Sequence, residues 1–232
     1  MSCPVILVIP AYKPPESLWE MVFRLEQVFY KIIIVDDGSG EDYHGLFEKL
    51  TQSGKVELLK HRLNCGKGLA LKTAFQYIIE HHDNCNVITA DADGQHRVGD
   101  IIKIAELTAF RSDALIIGCR NFKTAPLRNR FGNLSARGIL RLLTKRNISD
   151  TQTGLRGIPA CFLPELIGCP EVGYDFEMRM LMSAIMQGYQ IVETDIETIY
   201  PGDPVSHFSP LYDSMKIVTC AIRECFRNKF DR

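Results

Sequence analysis

Val87-Ile88-Thr89-Ala90-Asp91-Ala92-Asp93-Gly94-Gln95-His96 is an apolar run that passes straight into two carboxylates one residue apart. A short continuous apolar segment of this kind reads as a strand buried on both faces, as in a parallel sheet covered by helices. Working outward, the segments 5–9, 32–35, 56–59 and 114–118 are similar β-branched runs. Between them Leu18, Met21, Val22, Leu25 and Val28 recur at helical spacing, as do Leu71, Ala74, Phe75 and Ile78, and then Ile101, Ile102 and Ala105. Strand, helix, strand repetition predicts an α/β fold with a doubly wound, mostly parallel sheet. Ligands of such sheets bind beyond the carboxyl ends of the strands, so the loops 10–13, 36–40 and 91–95 are expected to converge on one crevice.

Past residue 118 the regular alternation breaks. Met178, Leu181, Met182 and Ile185 predict a helix closed by Gly188, and Val192, Thr194, Ile196 and Thr198 alternate with acids as in a strand. Residues 211–230 read as a last amphipathic helix, whose stripe suits either packing or attachment to a membrane surface. With 232 residues and 46% apolar content the chain is read as one domain, 1–232, with a nucleotide-binding half (1–118) and an acceptor-binding half (119–232).

A formal net charge of −1 and an isoelectric point near 6.6 argue against nucleic acid as a partner. The exception is local: from 111 to 146 there are nine Lys or Arg against one acid, Asp113, which calls for an anionic ligand or a solvated basic face. The eight cysteines show no CxxC spacing, which fits neither a zinc site nor a disulfide framework and suggests reduced cytoplasmic thiols. The first ten residues lack the features of a signal peptide, and no segment approaches the ~20 apolar residues that span a bilayer.

Asp91 and Asp93 at a strand end supply hard oxygen ligands that suit Mg²⁺ or Mn²⁺, ions that complete their shell with water and substrate phosphates. Ile32-Ile33-Ile34-Val35-Asp36-Asp37-Gly38-Ser39 repeats the device: its carboxylates either accept hydrogen bonds from a base and ribose or serve as a turn or cap. Asn64-Cys65-Gly66-Lys67-Gly68 opens a helix with backbone N–H groups and an ammonium that suit a phosphate, though it is not a P-loop and also reads as a simple helix start.

Ile9-Pro10-Ala11-Tyr12, Val35-Asp36-Asp37-Gly38-Ser39, Asn64-x-Gly66-Lys67-Gly68, Asp91-Ala92-Asp93-Gly94-Gln95-His96, Gly118-Cys119-Arg120 and Asp150-Thr151-Gln152-Thr153-Gly154-Leu155-Arg156 together resemble the ordered motif set of the family-2 glycosyltransferases of GT-A fold. Within that family the chain is most similar to polyprenyl-phosphate glycosyltransferases of the dolichol-phosphate mannosyltransferase type. The resemblance implies that a hexose passes with inversion from a UDP- or GDP-linked donor to a polyprenyl phosphate, with Mg²⁺ or Mn²⁺ as cofactor. It implies metal ligation by Asp91, Asp93 and Gln95, and nucleoside contacts from Pro10, Tyr12, Asp36 and Asp37, with Lys67 near the nucleotide. Arg120 and an arginine such as Arg128 or Arg137 would face a phosphate, Arg156 would help close the sugar pocket, and His207 would reach the diphosphate from a loop. Lys13-Pro14 departs from the family pattern after Tyr12.

A lipid phosphate is already anionic at neutral pH and needs no base, so catalysis reduces to positioning and stabilising the departing diphosphate. A sugar hydroxyl would need one, and Asp175 or Glu177 is the candidate. The expected location is the cytoplasm, at the cytoplasmic membrane face where the acceptor requires it, with attachment that is peripheral or through a membrane partner protein. A non-catalytic nucleotide-sugar-binding subunit would be expected to lose Asp91, Asp93 or the basic stretch, and all are present.

Overall fold

The structure, a computed structural model, describes residues 3–120, 127–197, 199 and 219, and within them the side chains of all but 127–132 and 135. Seven strands, β1 (Val5–Ala11), β2 (Lys31–Asp36), β3 (Val56–Lys60), β4 (Asn86–Thr89), β5 (Ala114–Arg120), β6 (Arg156–Ile158) and β7 (Gln190–Ile196), form one sheet in the order β3-β2-β1-β4-β6-β5-β7. All neighbours run parallel except β6, which is antiparallel to both β4 and β5.

Among the described residues seven α-helices cover the two faces: α1 (Ser17–Leu25), α2 (His44–Thr51), α3 (Lys67–His81), α4 (Val98–Phe110), α5 (Leu127–Thr144), α6 (Leu163–Ile167) and α7 (Asp175–Met186). Strand alternation assigns the faces. Ile6 and Val8 of β1 pack with Ala70, Phe75, Leu140 and Leu181 from α3, α5 and α7, while Leu7 and Ile9 pack with Leu18, Phe47 and Ile104 from α1, α2 and α4. Two apolar layers therefore sandwich the sheet and bury its inner strands, as the continuous apolar runs require, while the edge strands β3 and β7 stay partly exposed.

The five apolar runs form β1 to β5, each extended by one or two residues. The first helix is shorter than its spacing suggests: α1 stops at Leu25, and Val28 lies beyond it, half exposed. The alternation after Gly188 forms β7, with residue 198 outside the described residues. Periodicity did not reveal α2, α6, the basic α5 or β6. A three-residue strand is too short to carry a pattern, and β6 begins inside a motif that reads as a loop.

That strand matters most for the site. Because β6 runs against its neighbours, the residues leading into it lie at the carboxyl ends of β4 and β5, where parallel neighbours place the residues that follow them. Its Arg156 pairs with Thr89 of β4 and with Ile117 of β5, so the lead-in 150–155 sits between the two strand ends. No helix among the described residues is long and apolar enough to cross a membrane.

Candidate active site

Asp91 and Asp93 follow β4 directly, and a charged cluster forms around them from distant parts of the chain. The Lys67 ammonium, at the first position of α3, bonds the Asp91 carboxylate and lies 2.7 Å from Glu177 Oε1 in the first turn of α7. His96 Nε2 is 3.4 Å from the other Asp91 oxygen. The Asp91 carboxylate rests on Gly154, where a Cβ would overlap it. A residue there must be glycine for Asp91 to take this position.

The electrostatics follow from burial. Burial alone would raise the Asp91 carboxyl, but the Lys67 ammonium and His96 hold it well below the usual range. Asp93 goes the other way: burial and then the Asp91 charge push it up. Burial also raises Glu177 against the pull of Lys67. Burial would lower Lys67, yet the two carboxylates raise it further.

Asp91 thus has a counter-ion and Asp93 has none of comparable strength, which is the arrangement a divalent cation would relieve. The side-chain oxygens that Asp91, Asp93 and Gln95 carry are donors of the kind that suits Mg²⁺ or Mn²⁺. His96 Nδ1, buried beside them, has no partner among the described residues. The residues present fit such an ion.

A basic side faces this acidic one across the lead-in to β6. Arg120, ending β5, grips Asp150 through two nitrogens at 2.6 and 3.0 Å, and Asp150 is fully buried. Asn133 of α5 bonds Ser149 O at 2.9 Å and Thr151 N at 3.0 Å, so α5 holds the same loop. Arg137 follows Asn133 by four residues and shares its helix face. Its Nε is buried without a partner among the described residues.

Several expected ligands turn out to be internal. The Asp36 carboxylate accepts from Ser39 N at 2.9 Å, which is the turn-capping alternative. Asp37 is buried and accepts from Cys65 N (2.9 Å), Gly66 N (2.8 Å) and His61 Nδ1 (2.7 Å), so its carboxylate fastens two loops together. Arg156 is 0% exposed and donates to Thr153 O (3.0 Å), Glu177 O (2.6 Å) and Thr151 O (2.9 Å). With all three guanidinium nitrogens committed to backbone, it frames the pocket from behind.

Asp175 and Glu177 part at the start of α7. Asp175 Oδ1 accepts from Gly173 N at 3.1 Å in the turn that starts α7, and the carboxylate inside the charged cluster is Glu177. Helical spacing separates them: residues two apart on α7 point in different directions. Gly66 (φ 95°) and Gly68 also serve packing, since a Cβ on either would collide with the Val172–Gly173 backbone, and Leu69 N bonds Val172 O at 3.1 Å.

Pro10 and Tyr12 lie at the end of β1, beside Asp36, and Lys13 adopts a left-handed conformation (φ 48°) with its N–H on Ser39 Oγ at 2.9 Å. Sequence reasoning missed Asp150, Asn133, His61 and His96 as parts of the site. Asp150 and His96 lay within quoted motifs without being given a role, while nothing in the spacing marked Asn133 or His61. The side chain of Arg128, His207 and, apart from residue 219, the tail 211–230 lie outside what the structure describes.

Comparison with known proteins gives the family and the fold. The profile of the Glycosyl transferase family 2 matches residues 6–163. A UDP-N-acetylglucosamine–dolichyl-phosphate N-acetylglucosaminyltransferase of Methanococcus voltae is 31% identical over 216 residues, covering 84% of this chain and 86% of that protein. An undecaprenyl-phosphate 4-deoxy-4-formamido-L-arabinose transferase of Sodalis glossinidius is 27% identical over 72% of this chain and 52% of its own length. Among solved structures, glucosyl-3-phosphoglycerate synthase of Mycobacterium tuberculosis, in complex with Mn²⁺, UDP-glucose and phosphoglyceric acid, superposes with a TM-score of 0.69 at 15% identity, over 97% of this chain and 80% of that one. The fold is therefore GT-A, and the chain is a glycosyltransferase that belongs to the Glycosyl transferase family 2.

Proposed function

We propose that the chain transfers a hexose from a nucleoside-diphosphate sugar to a polyprenyl phosphate, with Mg²⁺ or Mn²⁺ held by Asp91, Asp93 and Gln95. The observation that carries this is the pairing of an acidic end beyond β4 with the basic end of β5, on either side of the 150–155 loop. The relatives named for dolichyl and undecaprenyl phosphate support the acceptor class, and the Mn²⁺ and UDP-glucose of the mycobacterial fold neighbour support the donor class.

In this reading the cation supplies Lewis acidity to the donor diphosphate. The chain's own residues do the rest. Pro10 and Tyr12 border the nucleoside, and Lys67 places a permanent positive charge next to Asp91, where the diphosphate arrives. Arg120 and Arg137 orient the acceptor phosphate, for which a guanidinium is suited because it keeps its charge when desolvated. The phosphate oxygen attacks the anomeric carbon and the nucleoside diphosphate leaves, with no proton to remove. The catalytic unit lies within 1–232 and works at a membrane surface, where a polyprenyl phosphate is presented.

A second reading, a sugar-hydroxyl acceptor, is favoured by one observation: Glu177 is a carboxylate raised by burial within the cluster, which is the property of a general base. The test is a donor screen with a polyprenyl phosphate, either cation and UDP-N-acetylglucosamine, UDP-glucose or GDP-mannose, read by mass spectrometry, with Asp93→Asn alongside. A glycolipid that requires the cation and disappears in Asp93→Asn supports the proposal. A glycolipid indifferent to both refutes it, and sugar transfer to hydroxyl acceptors alone selects the second reading.

A further inference from the structure

We propose that Asp37, His61 and Cys65 form a second cation site, separate from Asp91 and Asp93 and selective for Zn²⁺ or another thiophilic divalent ion. One ligand atom from each lies within 4.8 Å of the other two. Around a tetrahedral zinc ion such atoms sit about 3.3–3.7 Å apart, so closure asks for a movement of about 1 Å. Asp37 follows β2, while His61 and Cys65 share the single connection between β3 and α3, so one cysteine and one histidine meet an acid from elsewhere in the chain and no cysteine pair announces them.

The site is pre-organised around Asp37. Its carboxylate already accepts from the backbone N–H of Cys65 and of Gly66, which fixes the cysteine beside it. Gly38 (φ 74°) lets the β2 loop press against the backbone of Leu63 and Asn64. The Cys65 thiol, on the exposed side, donates only to Leu63 O at 3.2 Å and offers a path from solvent.

His61 has the partner that a metal-bound histidine needs. Nδ1 faces Asp37 Oδ1 at 2.7 Å and Nε2 faces Thr73 Oγ1 at 2.9 Å. A hydroxyl both donates and accepts. When a cation takes the place of the Nδ1 proton, Nε2–H donates to Thr73, the outer hydrogen bond that orients a ligating imidazole. The ligands would be the Cys65 thiolate, His61 Nδ1 and an Asp37 oxygen, with a fourth position open to water. A soft sulfur with imidazole selects zinc over Mg²⁺, which separates this site from the all-oxygen set at Asp91 and Asp93.

The experiment adds Zn²⁺, and Co²⁺ as its spectroscopic substitute, to the metal-free full chain in excess Mg²⁺. Expected are a thiolate-to-cobalt charge-transfer band, a raised unfolding midpoint with Zn²⁺, and loss of both in Cys65→Ser, which alters an exposed residue. Thr73→Val is expected to weaken Zn²⁺ about 10- to 100-fold, while Asp93→Asn leaves the band in place. A band that survives Cys65→Ser, a Zn²⁺ effect abolished only by Asp93→Asn, or no binding in the presence of Mg²⁺ would each overturn the proposal.

Discussion

Arg156→Leu discriminates between a framing role and a ligand role, and its size can be worked from the hydrogen bonds. The substitution removes three charge-assisted donors and leaves the carbonyls of Thr151, Thr153 and Glu177 facing an apolar side chain. At about 1–2 kcal/mol for each buried acceptor left unpaired, the gross loss is about 3–6 kcal/mol. Part is recovered because a buried guanidinium is itself costly: burial pushes Arg156 below its ordinary value, despite the nearby Glu177, Asp150 and Asp91. A net loss of about 3 kcal/mol remains, which for a domain of this size lowers the unfolding midpoint by about 6–12 °C. The assay is thermal unfolding by circular dichroism, with donor KM measured on the folded variant. A midpoint unchanged within a degree, together with a large rise in KM, would refute the framing role and make Arg156 a substrate ligand.

Gly154→Ala places a methyl group where the Asp91 carboxylate rests, so transfer should fall about 100-fold, the cost of an ångström-scale misplacement, with the fold kept; initial rates and circular dichroism check this. Lys67→Met leaves Asp91 and Glu177 without their shared cation and should destabilise the protein by about 3–5 kcal/mol, a loss that saturating Mn²⁺ partly restores in a thermal-shift titration. Asp175→Asn should cost no more than about 1 kcal/mol, as for a helix-start cap, and leave the transfer rate unchanged, whereas Glu177→Gln should reduce it in single-turnover measurements.

Much of the fold was legible because apolar runs bounded by acids and glycines leave little freedom: β1 to β5, α1, α3, α4 and α7 all follow from burial periodicity. Asp91 and Asp93 were legible for the same reason, since a strand end fixes where they point. What pattern could not supply was partnership. Asp37 and Asp91 look alike in sequence, each an acid after a buried run, yet one is consumed by Cys65, Gly66 and His61 while the other lines the crevice. Sequence left Asp175 and Glu177 as equal candidates because which side of one helical turn meets Lys67 is decided by an element more than a hundred residues away.

The short antiparallel strand has a metric consequence. Two inter-strand spacings separate the chain of Asp91 from that of Arg120, and hydrogen-bonded backbones hold each at about 4.8 Å, so the gap at the strand ends is about 10 Å. This span is a gauge cut into the sheet itself. Side-chain replacement can change what is gripped at either end of it, but only the gain or loss of a whole strand can change its length. The separation between Asp91 and Arg120 is therefore a property of the backbone rather than of the side chains it carries.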